Sequence, residues 1–380
     1  MNPTKKEQIV WIDLLRIFAC FLVVLAHACD PFVAKTDTNY TEFLSGAFIG
    51  TFVRASVPLF VMISGILLLP IKQDMLSFYK KRSKRIIIPF IFWAIMTPIL
   101  YYLYFKTGVG TMNVNIAPDG YTEQALFIKL YTWIFNFNYD IIPLWYVYML
   151  IGLYLFIPIL SSWIQGATKK EIQVVLILWI LSTCIPYLQL VAPFLGYMGN
   201  GDNMGILGVC DWNNFGTFYY FSGFAGYLVL AFYLIKYPLN WGWGKTISVA
   251  GVIFAIAYAI TLGGFLFTQK YYPENFANLE IIWSFTNINV LAMTFSIFIV
   301  FQKLQFKASK RVRTISNLTY GIFLSHFFFV QVAYDFIYPR TVSTMPASLQ
   351  IITIGVVSII ISGIIVWILS LNKCTKKFVM

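Results

Sequence analysis

Residues 11–30 form the first apolar stretch, WIDLLRIFACFLVVLAHACD, whose polar side chains include Asp13, Arg16 and His27. An arginine within a membrane span costs at least about 2.5 kcal/mol, so its presence indicates a function. Helix geometry leaves Arg16 and His27 within about 20° of one face and about 16 Å apart along the axis. Asp13 lies one turn earlier on that face, where it can neutralise Arg16. This face is predicted to form the wall of a reaction site, although a histidine near a helix end can also simply be capped by a backbone carbonyl.

The composition is that of a membrane protein rather than a soluble one. Of 380 residues, 59% are hydrophobic and 11% charged, and the mean hydropathy is +0.75. We expect one all-α integral membrane domain over residues 1–380, a bundle of about ten transmembrane helices with no fused extracytoplasmic domain and no cleaved signal peptide. The expected spans are 8–29, 47–69, 86–105, 143–163, 172–190, 215–235, 247–268, 279–301, 316–337 and 347–371.

The distribution of positive charge predicts the orientation in the membrane. Twenty of the 27 Lys and Arg residues fall in alternate connecting segments, beginning with the N-terminus, and five fall in the other connections. This asymmetry places both termini in the cytoplasm and accounts for the net charge of +12 without a nucleic acid partner. The five cysteines form no CxxC pair, and the two histidines and scattered acids lack metal-ligand spacing, so no metal is expected.

A basic segment, FYKKRSKRIIIPF, spans residues 78–90. Arg82 and Arg85 are three residues apart and share a helix face, where two guanidinium groups can bind phosphates from the cytosol. The alternative is a topology signal that contacts anionic lipid headgroups.

The segment VRASVPLFVMISGILLL, residues 53–69, contains a second set of candidates. Ser64 and Gly65 allow a ligand or another backbone to approach closely. Arg54 lies at the predicted outer mouth, level with His27. It either stabilises a developing oxyanion or a substrate carboxylate, or extends to the membrane interface.

Further candidates occur later in the chain. Trp145 and Tyr146 begin the fourth expected span and belong either to an aromatic belt or to a site wall. His326 lies in LTYGIFLSHFFFVQ, residues 318–331, where packing and a hydrogen bond to a neighbouring span are favoured. Glu280 begins the eighth expected span, and its role is ambiguous from sequence alone.

Taken together, these segments resemble the membrane-bound acyltransferase 3 family. They occur in the family's order over about residues 11–330. The matching elements are an arginine and a histidine separated by ten residues (Arg16 and His27), a phenylalanine and Ser-Gly (Phe60, Ser64, Gly65), an arginine pair and proline (Arg82, Arg85, Pro89), an aromatic pair (Trp145, Tyr146), and YGIFLSH at residues 320–326, with Phe323 where tyrosine is common.

The resemblance implies a multi-pass enzyme of the bacterial cytoplasmic membrane. It would transfer an acetyl group, or a related group such as succinyl, from cytoplasmic acyl-CoA to a hydroxyl of a cell-surface or lipid-linked saccharide. His27 would be the catalytic histidine and Arg16 would contact the donor. Arg82 and Arg85 would hold the CoA phosphates, with Ser64 and Gly65 also at the donor site. Arg54, Trp145, Tyr146 and His326 are assigned to substrate binding.

Several alternatives remain open at this stage. The transfer is either direct or passes through an acyl-histidine, and the protein either works alone or passes its acyl group to a separate periplasmic or extracellular partner. A transporter or flippase for lipid-linked saccharides would use the intramembrane charges to line a path and would consume no acyl-CoA. A membrane sensor or scaffold would tolerate exchange of Arg16 and His27.

Overall fold

The computed structural model describes residues 5–134, 138–196, 205–210, 212–273, 281–307 and 309–379, with side chains from residue 10 onward except at positions 193 and 206. Within these ranges the chain is helical and has no β-strand. Nine helical stretches in the described part are long and apolar enough to cross a membrane, which confirms the prediction of an all-α membrane bundle. The chain divides into two compact units.

The first unit comprises residues 1–56, 73–154 and 305–380. Its helices are α1 (Lys5–Val33), α2 (Tyr40–Phe52), α4 (Met75–Lys106), α5 (Glu123–Thr132), the start of α6 (Trp145–Gly166), α12 (Lys310–Thr341), α13 (Ala347–Leu371) and α14 (Lys373–Lys376). Helix α12 packs against both α1 and α13. Side-chain caps fix where two of these helices begin: Asp74 accepts from the Ser77 amide at 2.9 Å, and Ser309 accepts from the Val312 amide at 3.4 Å.

The second unit comprises residues 57–72 and 155–304. It contains most of α3 (Ser56–Leu68), the rest of α6, α7 (Lys169–Ser182), α8 (Ile185–Val191), α9 (Ala225–Lys236), α10 (Trp243–Tyr271) and α11 (Ile288–Lys303). Helices α10 and α11 pack together. A capping box between Thr168 and Glu171 begins α7, as expected for a threonine followed three residues later by a glutamate.

Several expected spans have different boundaries in the structure; the third, 86–105, belongs to a helix that begins at Met75. The sixth, 215–235, is α-helical only over Ala225–Lys236, because Gly216–Phe221 forms a 3-10 helix instead. The second, 47–69, is too short: the helical stretch begins at Tyr40 and is interrupted by a 3-10 turn at Val53–Ala55. The connection between α4 and α6 also contains the short helix α5, Glu123–Thr132.

Candidate active site

Helices α1 and α12 run parallel, and their register places the first two candidates on one side of α1. Arg16 Nη1 donates to Ser316 Oγ at 2.8 Å. Further along both helices, the His27 ring lies 5.2 Å from the His326 ring, measured between centroids. Arg16 and His27 therefore both face α12, as their spacing in α1 predicts.

The His27 imidazole is oriented by a carboxylate on its own helix. His27 Nδ1 and Asp30 Oδ2 are 2.8 Å apart, and the His27 side chain is 20% exposed. Because an ionised carboxylate only accepts, the Nδ1 hydrogen donates to Asp30 and the Nε2 lone pair is left available. This arrangement is that of a general base with an orienting acid, and it replaces the backbone-carbonyl cap considered for this histidine.

His326 is fully buried beside His27. Its Nδ1 bonds the Phe323 carbonyl oxygen at 2.6 Å, one turn earlier in α12. The expected hydrogen bond to a neighbouring span was therefore wrong, because the helix's own carbonyl is within reach. Its Nε2 is buried and has no hydrogen-bond partner among the described residues. An unsatisfied buried polar atom costs about 1–3 kcal/mol, so this lone pair suits a ligand's N–H or O–H.

A chain of ring contacts connects the aromatic pair of α6 to the histidines. Phe323 lies 5.8 Å from His326 and 5.1 Å from Tyr146, and Tyr146 lies 6.4 Å from Trp145, all between ring centroids. Tyr146 is buried, whereas Trp145 is partly exposed. Tyr146 therefore packs against Phe323, and Trp145 is the more exposed member of the pair.

Residues 111–115, which follow α4, are hydrogen-bonded to α12 and approach Asp30 of α1. Asn113 Nδ2 donates to Gln331 Oε1 at 2.7 Å, and the hydroxyl of Thr111 donates to Asp335. Asn115 Nδ2 approaches the Asp30 carbonyl oxygen at 3.5 Å. These bonds attach the segment to the second half of α12 and bring it close to the backbone of Asp30.

A tyrosine and a carboxylate stabilise the far end of the same segment. Burial raises the pKa of Tyr121, and the Asp140 carboxylate raises it further, so the hydroxyl stays protonated. It donates to Asp140 Oδ1 at 2.7 Å.

At the other end of α1, Arg16 is held by two oxygen atoms. Its Nη1 lies 3.4 Å from Asp13 Oδ1, and the Ser316 hydroxyl donates to the same carboxylate oxygen at 2.7 Å. The predicted pairing of Asp13 with Arg16 is confirmed. The serine fixes the guanidinium group at this end of α1 and leaves its remaining N–H donors for a ligand.

Three arginines converge near one tyrosine at this end. Arg16 interacts electrostatically with both Arg85 and Tyr154. Arg82, which lies 5.7 Å from the Phe78 ring, interacts with the same two residues. The Arg82 Nε is buried without a hydrogen-bond partner among the described residues. Mutually repelling guanidinium groups with an unused donor favour a bound anion.

A family comparison identifies the class of protein to which the chain belongs. The family model described as "Acyltransferase domain" matches residues 9–367, nearly the whole chain. The chain belongs to the acyltransferase 3 family. It is therefore a membrane acyltransferase, and the match spans both α1 and α12. Comparisons with curated proteins and with solved structures found no match.

The remaining predicted site residues of the acyltransferase fall into two groups. Arg54 lies in the 3-10 turn Val53–Ala55 of the first unit and interacts electrostatically with Cys29, two residues from His27. Ser64 and Gly65 belong to the second unit. There the Ser64 hydroxyl donates to the Phe60 carbonyl oxygen at 3.1 Å, and Gly65 packs against the backbone of Leu228. Their part in donor binding remains a prediction.

Glu280 lies outside the described residues. In the described part of the chain, no group of three or more His, Cys, Asp or Glu side chains is placed to hold a metal ion.

Sequence reasoning missed several residues of the acyltransferase site. Asp30 stands three residues after His27, a spacing that brings two side chains of a helix together, and this signal was available. Ser316 and Tyr154 come from distant parts of the chain, and only the packing of α12 and α6 identifies them.

Proposed function

We propose that this acyltransferase transfers an acetyl or related acyl group, such as succinyl, from cytoplasmic acyl-CoA to a hydroxyl of a cell-surface or lipid-linked saccharide. The observation that carries the proposal is that two different functional groups lie at opposite ends of the α1–α12 pair. An arginine cluster lies at one end and an oriented imidazole at the other. A long donor with an anionic head and a reactive thioester at its far end fits this arrangement.

The chemical step uses His27 as the general base. Its Nε2 takes the proton of the saccharide hydroxyl as the oxygen attacks the thioester carbonyl carbon. The new carbon–oxygen bond forms, the carbon–sulfur bond breaks, and the imidazolium returns the proton to the departing CoA sulfur. Asp30, 2.8 Å from Nδ1, stabilises the positive charge that the ring carries between these events.

The arginine cluster supplies the donor site in this proposal. Arg82 and Arg85 bind the phosphates of CoA, and Arg16 contacts the arm that extends toward His27. The rise of α1 between Arg16 and His27, about 16 Å, matches the order of length of a pantetheine arm. The predicted cytoplasmic position of the basic segment agrees with a cytoplasmic donor.

The remaining side chains near His27 are assigned to binding the reacting groups. The buried Nε2 of His326 accepts a hydrogen bond from a substrate N–H or O–H. Trp145 offers a partly exposed ring to the saccharide. Arg54 stabilises negative charge that develops on the carbonyl oxygen.

Mass analysis of surface glycans from bacteria with and without this chain tests the function. The proposal expects a glycan that carries an acyl mass only when the acyltransferase is present, and that mass identifies both donor group and acceptor. Complementation with His27→Ala is the control and is expected to leave the glycan unmodified. Glycans of equal acylation in both strains, or saccharide movement without acyl-CoA consumption, would contradict the proposal and favour a transporter.

A further inference from the structure

A groove of about 690 Å³ runs along the first unit where α1, α12 and α13 meet. Ile17 and Cys20 line it from α1, and the α12 wall extends from Lys310 to Ile322. That wall is about 18 Å long, roughly half the thickness of a bilayer with its headgroups. Ile17 and Cys20 line the groove, whereas Arg16, Ser316, His27 and His326 do not, so its lining shares none of these candidate-site residues.

In the middle of the groove, the polar hydrogens of the wall already form hydrogen bonds within the protein. The Thr314 hydroxyl donates to the Lys310 carbonyl oxygen at 2.9 Å, and the Thr319 hydroxyl donates to that of Ser316 at 2.7 Å. The Cys20 thiol points to the Thr319 carbonyl oxygen at 3.6 Å. Because these hydrogens are already used within the protein, the wall favours a hydrocarbon chain over a polar ligand.

One end of the groove is cationic. Lys310 and Arg311 line it and are exposed. Neither forms an ion pair with a carboxylate among the described residues. Trp367, which is 48% exposed, lines the groove from α13, and tryptophan is enriched where a membrane meets water.

We propose that this groove binds an anionic phospholipid, with one acyl chain along the apolar wall and the phosphate on Lys310 and Arg311. The assignment rests on charge complementarity: a zwitterionic lipid fills the same wall but adds a positive group beside two cations. A lipid in this position braces α1 against α12, the helices that carry Arg16, His27 and His326. The inference does not depend on the proposed reaction.

Thermal unfolding of the full chain, purified in mild detergent, tests the headgroup preference. Phosphatidylglycerol is expected to raise the midpoint by about 3 °C or more over phosphatidylcholine with the same acyl chains, because a ligand of the folded state stabilises it. Lys310→Gln/Arg311→Gln is expected to abolish this difference. The matched control, Lys307→Gln/Arg313→Gln, removes two exposed charges that do not line the groove and is expected to retain it.

A second variant tests the hydrocarbon site by native mass spectrometry. Only the tip of Ile322 lies within 4 Å of a Cβ added at Gly363, at 3.7 Å, so Gly363→Leu fills the groove without disturbing the backbone. This variant is expected to lose bound phosphatidylglycerol. Equal shifts from both lipids, an unchanged preference in Lys310→Gln/Arg311→Gln, or full lipid retention by Gly363→Leu would overturn the proposal. The proposal would also be overturned if the wild type were a dimer and Gly363→Leu a monomer, because the groove would then be occupied by a second copy of this chain.

Discussion

At the scale of single residues, α1 carries the candidate base His27 towards one end and the candidate donor contact Arg16 towards the other. His27 has a carboxylate on one ring nitrogen and a second imidazole close by. Arg16 is fixed by Asp13 and Ser316 at the other end. The pairings within α1 follow from i, i+3 spacing, whereas the contacts with α12 required the fold.

Asp30→Asn is expected to lower the turnover number by roughly 10²-fold or more while leaving the affinity for acyl-CoA unchanged. The amide no longer stabilises the imidazolium and can present a donor to Nδ1, which favours the wrong tautomer. Steady-state kinetics and acyl-CoA binding on the same membranes measure both quantities. Asp37→Asn, which neutralises an exposed acid seven residues later, is the control. Wild-type turnover in Asp30→Asn would exclude the orienting role.

Arg82→Gln/Arg85→Gln is expected to weaken acyl-CoA binding by at least about tenfold, since each guanidinium–phosphate contact contributes on the order of 1.5–3 kcal/mol. Titration of membranes with labelled acyl-CoA measures the dissociation constant. Lys81→Gln/Lys84→Gln removes the same charge from exposed positions of the same helix and is the matched control. If both double variants bind equally well, the basic segment acts only as a topology signal.

At the scale of helices, the apolar runs predicted where most elements lie, and the details they missed have physical causes. A run of apolar residues looks the same whether its backbone is α-helical or 3-10, so the break at Val53–Ala55 and the short α9 were not visible in composition. The same run also fails to show which helices are neighbours. The parallel contact of α1 with α12 therefore came from the structure, although two residues that meet there, His27 and His326, had been identified individually.

Gly65 illustrates how a motif residue can have a packing role. A Cβ at this position would lie 2.6 Å from the Leu228 carbonyl oxygen and 2.8 Å from its Cα. These are backbone atoms that cannot move aside alone. Gly65→Ala is therefore expected to lower the stability by about 1–3 kcal/mol.

Thermal unfolding in detergent measures this effect. Gly251→Ala, at an exposed helix position with open space around the added methyl group, is the control and is expected to be neutral or slightly stabilising. Equal midpoints for the two variants would contradict the close packing of α3 against α9 at Gly65 and Leu228.

At the scale of the whole molecule, the long apolar helices and the family match agree on a multi-pass membrane acyltransferase. Composition was sufficient to predict this class, because a chain with 11% charged residues cannot cover a soluble surface. The orientation remains a prediction from the distribution of Lys and Arg.

Reporter fusions test that orientation. A fluorescent protein fused after residue 380 is expected to be bright, and an alkaline phosphatase fused there inactive, because both require the C-terminus to be cytoplasmic. A matched pair of fusions in the segment between α12 and α13 is expected to give the opposite result. Phosphatase activity at the C-terminus would reverse the membrane sides assigned to Arg16 and His27. It would thereby contradict a donor site on the cytoplasmic side.

The most direct test of the central claim is transfer of a radiolabelled acetyl group from acetyl-CoA to membrane glycan in inside-out vesicles that contain either wild type or His27→Ala. We predict incorporation with the wild type and, with His27→Ala, a rate at least about 100-fold lower together with unchanged acetyl-CoA binding. Incorporation by His27→Ala at the wild-type rate would contradict the assignment of His27 as the base.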